Sequence, residues 1–240
     1  MKKLSLFVFC AAFTLCLTAA NLAAANAPQA TVNLNSAANL AVLAGTDVTS
    51  TGRPASVIIG NLGVFPGSSY TPGTPAATVS GTIDLANTAA GAAQRDLGTA
   101  YNDAAGRSLD AVRATGNLGG KTLTAGLYKS TSGFAINLGE TLVLTGDKNS
   151  IFIFQMASTL VTATGSRVIL TGGVLPSNVF WQVGSSATLG ATSVFQGTIM
   201  ALASISLDTG AVLHGRALAQ HGGVTFISND VTVPGVKVRR

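Results

Sequence analysis

Apolar residues in this chain come in short runs broken by glycine and small polar residues. Leu40–Ala44, Val57–Ile59, Thr141–Thr145, Ile151–Phe154, Val168–Leu170 and Val179–Trp181 each carry a β-type pattern of Val, Ile, Leu and Phe. Strands this short, bounded this often by turn residues, suit a β-helix better than an open sheet. The pattern also repeats. Phe154-Gln155 recurs as Trp181-Gln182, Thr164-Gly165 as Thr209-Gly210, and Gln196-Gly197 as His214-Gly215, 18 residues later. A period of about 20 residues is the signature of a solenoid coil, and a solenoid displays regular rows of side chains along flat faces.

One segment departs from this pattern. Between Asp84 and Gly106, residues Leu85, Ala86, Ala89, Ala90, Ala93, Leu97, Ala100, Tyr101 and Ala104 keep a three-and-four spacing, with Gln94, Arg95, Asp96 and Asp103 mostly opposite. This predicts one amphipathic helix over residues 84–106, with Asp84 at the positive end of its dipole and Gly106 as its C-terminal cap. Pro66 to Pro75 reads as loop.

Composition narrows the class. Charged residues make up 10% of the chain and hydrophobic residues 47%, enough for a packed core and against disorder. Lys2 and Lys3 followed by an apolar run from Leu4 to Leu17 and small residues predict a signal peptide over residues 1–27, with candidate cuts around Ala23–Ala25 and Ala25–Ala27. The run is shorter than the ~20 residues a membrane span needs. The expected mature chain, residues 28–240, is a single secreted or periplasmic domain. It keeps neither Cys10 nor Cys16, so no disulfide or thiolate metal site is expected. Without Lys2 and Lys3, 12 of the 14 basic side chains face 9 acidic ones, a net +3, which does not imply a nucleic-acid partner, and no later apolar segment is long enough to span a membrane.

No catalytic set emerges. Residues Thr115 to Thr122 approximate a phosphate-binding loop, but Thr115 replaces its first glycine and Lys121 leads into a strand pattern rather than a helix. His214 and His221 are the only histidines and have no carboxylate at ligand spacing; Glu140 is the only glutamate. A β-helix glycosidase or lyase needs clustered acids or bases, and Asp147, Asp208 and Asp230 are scattered among coils. Trp181 reads as a buried inter-coil aromatic rather than a sugar platform. We expect no enzyme activity, no metal and no cofactor.

Several stretches together resemble the microbial β-solenoid ice-binding protein family. They are Ala37–Gly45, Gly60–Gly67, Ala100–Arg107, Gly126–Ser130, Phe152–Gln155, Asn178–Gly190 and Gly210–Ala219, a likeness running from about Val32 to Thr232. The resemblance implies a discontinuous right-handed β-helix of triangular section, the helix along one face, and ice bound by another. In several family members the ice face carries Thr-Gly or Thr-Ala, one free position, then Thr or Asn. The matching segments here start at Thr164 and Thr209, with Ala191-Thr192 between them. They suggest rows Thr164, Arg167, Ile169; Thr192, Val194, Gln196; and Thr209, Val212, His214, with Thr51, Ser56 and Ile58 as a fourth. Arg167, Val194 and Val212 stand where Thr or Asn is usual, and a one-residue slip in register exchanges inside and outside. The implied partner is an ice surface, met by a monomer. The alternative is an adhesive solenoid that binds a polymer or a cell surface.

Overall fold

A computed structural model describes residues 28–114 and 116–235. The predicted signal peptide and residues 236–240, with their three basic side chains, lie outside the described residues. Inside them, parallel strands stack coil on coil, three to a coil, and enclose one apolar interior. In a representative coil Gly126–Ser130 forms the first face, Phe134–Ile136 the second and Thr141–Thr145 the third.

Burial separates the faces and explains how each reads in sequence. On the second and third faces, alternate residues point inward: Leu142 and Leu144 are buried while Thr141, Val143 and Thr145 look out. On the first face both sides are covered, so Leu40–Ala44, Phe152–Met156 and Val179–Val183 are buried at every position. A doubly covered strand needs a continuous apolar run rather than alternation. The cover is the helix Thr88–Gly106, whose Ala93, Leu97, Ala100, Tyr101 and Ala104 pack on Leu43, Leu127, Ile153, Phe180, Met200 and Leu218. Its alanine stripe permits this close approach.

The helix starts later than the 84–106 pattern predicts. Ile83–Leu85 extends the neighbouring Asn61–Val64 strand, pairing Leu62 with Ile83 and Val64 with Leu85. Asn87 is the N-cap; its side-chain oxygen accepts from the Ala90 amide at 2.9 Å, and its amide group donates to Asp84 Oδ1 at 2.8 Å. Asp84 therefore supports the cap from outside. Gly106 ends the helix, and Arg107 leaves in extended conformation, so no left-handed glycine cap forms there.

The chain order is discontinuous. Two coils are laid down before the helix, which carries the chain to the opposite end; the coils from Val112 onward then climb back. The last coil meets the first: Val42 pairs with Ala217, Thr49 with Thr225 and Ile58 with Val231. Arg216 lies at this seam, 8% exposed, donating to the Ala38 carbonyl and to Thr198 Oγ1. Burial pulls its guanidinium down to about 10. Inside the coils Tyr128, Phe154 and Trp181 stack in register, the last two rings 3.9 Å apart. Trp181 is fully buried, and its indole N–H donates to the Gln196 carbonyl. The recurring Gln155 and Gln182 point the other way, toward the helix: Gln155 donates to the carbonyls of Ala104 and Arg107, Gln182 to the Tyr101 hydroxyl.

Candidate ice-binding face

Seven strands build the second face: Phe134–Ile136, Leu160–Thr162, Ala187–Leu189, Ile205–Leu207, Val224–Ile227, Asp47–Thr51 and Ser69–Thr71. Their pairing runs from end to end with no register shift. The outward central row is Ala135, Val161, Thr188, Ser206, Thr225, Thr49 and Thr71. A second row follows the corner with the third face: Thr164, Ala191, Thr209, Ile227 and Thr51, each hydrogen-bonded in sequence to the next coil. Along the opposite edge Thr159, Ser186 and Ser204 lead to Gly223, Asp47 and Ser69. At ~4.8 Å per strand the face extends about 29 Å. Asp47 is the single charge on these rows, near one end, and it accepts from the hydroxyls of Thr46 and Thr49.

The corner beside this face is built the same way in six of the seven coils. Gly139, Gly165, Thr192, Gly210, Ser228 and Gly52 all have positive φ there. The Thr-Gly repeat thus places Thr outward and Gly in the left-handed turn. Beneath the corner lies a buried polar ladder. Ser56 Oγ accepts from Ser50 Oγ at 3.0 Å and from the Asn229 amide, while the Asn229 side chain donates to the carbonyls of Asp208 and Ala211.

The sequence-derived rows divide among these places. Thr51, Thr164 and Thr209 stand together on the second face. Thr192 sits at the corner turn, with Ala191 in the row instead. Arg167, Ile169, Val194, Gln196, Val212 and His214 look outward from the third face, where Arg167 pairs with Val194, Val194 with Val212, and Gln196 with His214. Ser56 and Ile58 are corrected: both are fully buried, and Val57 and Ile59 take the outward positions. The cause is an insertion. Arg167 and Val212 lie three positions after Thr164 and Thr209, but the aligned Val57 lies six after Thr51; the expected Ser56 lies five after it, one position short, and so falls on the inward side. The central row around Thr188 was missed altogether, because single outward residues in three-residue strands carry almost no periodic signal.

A family model described as ice-binding-like matches residues 42–232. The chain belongs to this ice-binding family. It is 48% identical over 200 residues to an ice-binding protein of Nostoc sp., covering 83% of this chain and 73% of that protein. A Flavobacterium frigoris ice-binding protein is 37% identical over 216 residues, 85% of this chain and 76% of the relative. The crystal structure of an ice-binding protein from an Antarctic biological consortium superposes with a TM-score of 0.84 at 47% identity, covering 88% of this chain and 94% of that one. One from the ascomycete Antarctomyces psychrotrophicus gives 0.80 at 36% identity, over 86% of this chain and all of the other. The family is one of ice-binding proteins, not enzymes. Among the described residues no group of three or more His, Cys, Asp or Glu is placed to hold a metal.

Proposed function

We propose that this protein adsorbs to ice through its second face, producing a gap between melting and freezing and slowing recrystallisation. The observation that carries the reading is the unbroken seven-strand register of small, almost uncharged side chains. Threonine offers a methyl and a hydroxyl together, so rows of it order water without gripping it as a charge does. The strand repeat of ~4.8 Å is close to oxygen spacings in ice. Side chains already fixed by the coils lose little entropy on docking. Between adsorbed molecules ice must grow as curved bulges, and curvature lowers the local freezing point. No bond is broken, so the reading needs no catalytic residue. The third face, with Arg167, His214 and Asp230, is the poorer match to ordered water.

Ice-crystal growth below the melting point tests the activity. Faceted crystals and a freezing gap are expected from the purified folded protein; round, freely growing crystals would overturn the reading and bring the adhesive alternative forward. We also propose export, on the strength of the charged, apolar and small-residue order within residues 1–27. The intact mass of protein recovered outside the cytoplasm should match a chain cut near residues 25–27. An uncleaved mass would refute this.

A further inference from the structure

We propose that the third face is a self-complementary surface through which two copies of this chain pair. Across four successive coils its outward row reads Arg167, Val194, Val212, Asp230, each in register with the next. A cation and an anion thus close the two ends of an apolar centre. Three strand steps separate them, about 14 Å, too far for an ion pair within one chain. Among the described residues the one ion pair is Arg107 with Asp103, and both Arg167 and Asp230 are exposed.

A two-fold axis lying between two such faces, parallel to the strands and midway between the Val194 and Val212 rows, keeps strand direction and reverses coil order. It sets Arg167 opposite Asp230 of the second copy, and Asp230 opposite the second copy's Arg167. It also sets Val194 against Val212, and in the neighbouring row Gln196 against His214. Isologous contacts require this kind of self-complementarity, and aligned packing of two sheets is an ordinary arrangement. Two shallow hollows of about 390 and 430 Å³ meet at Val194, one reaching Pro176 and the other Asp230 and Thr232. They give the second copy's side chains somewhere to seat. A strip of eight strands, ~38 Å long and ~10 Å wide, buries roughly 800 Å² between two copies, which is small for a stable dimer. The pairing is therefore weak: the monomer expected from sequence is the dilute species, and the dimer gains with concentration. The second face stays open in both copies, so this inference does not rest on the ice reading.

Sedimentation velocity of the purified chain from ~10 μM to ~1 mM should show a monomer–dimer equilibrium that added salt weakens. Arg167→Asp places Asp against Asp at both ends and should weaken pairing by about tenfold, as should Asp230→Arg. The double variant should recover wild-type pairing, and the two single variants mixed together should form a heterodimer. Wild-type protein that stays monomeric at ~1 mM overturns the proposal, and so does dimerisation that ignores both charge reversals.

Discussion

The left-handed corner between the second and third faces is glycine in four coils, but Thr192 and Ser228 fill it in two others, with φ of 56° and 57°. A β-branched residue in that region is strained, by about 1–2 kcal/mol. Thr192→Gly should therefore stabilise the fold by about 1 kcal/mol, partly offset by the greater freedom glycine has when unfolded. For a domain of this size that raises Tm by about 2–4 °C in a calorimetric scan. A lower Tm would mean that the threonine side chain makes up for its backbone strain. Residues of this kind also mark how far the sequence could be read. Thr164-Gly165 and Thr209-Gly210 announced the corner because glycine is needed there, and the match placed Thr164, Thr209 and Thr51 on one surface. Ala191-Thr192 looked like the same motif displaced by one, whereas the backbone keeps its register and threonine simply occupies the glycine position.

At the level of elements, the helix was legible because it is a long run with one consistent environment, and the doubly buried strands because each is apolar almost without a break. What sequence could not supply was the boundary at Ile83–Leu85, which joins a sheet edge through contacts that only the folded coil provides. It also could not supply the way the helix is held. The 3-10 helix Asn35–Asn39 is tied to the long helix by Ser36, whose amide and hydroxyl both donate to Asp96 Oδ2. The Ser36 hydroxyl, then its amide, hold the Asp96 carboxyl below its ordinary value, with Arg95 adding a smaller pull in the same direction. A depressed folded-state pKa means stability that is fully present above the unfolded carboxyl value, near 3.9, and lost as pH falls through the lower folded value. Thermal melts between pH 5 and pH 2 should decline less steeply in Ser36→Ala than in the wild type, by a small margin since Asp96 is solvent-accessible. Parallel declines would show that this contact adds nothing.

For the whole molecule, the period near 20 residues was enough to give a solenoid, and the resemblance supplied the return of the chain through the helix. The choice of face was not legible. Strands alternating on a period of two expose residues on two uncovered faces equally well, and the six-position step from Thr51 to Val57, against three in other coils, defeats counting from one coil to the next. Only the assembled coils separate a nearly uncharged face from one that carries Arg167 and Asp230. Ice activity is therefore expected to follow the second face and not the third.

The most direct test is thermal hysteresis of three tyrosine variants, each checked for an unchanged melting temperature. Thr188→Tyr and Thr209→Tyr put a bulky ring on the second face, and Ile169→Tyr puts one on the third. The first two should lose most of the freezing gap while the third keeps the wild-type value. Loss of activity in Ile169→Tyr with retention in Thr188→Tyr would contradict this choice of face.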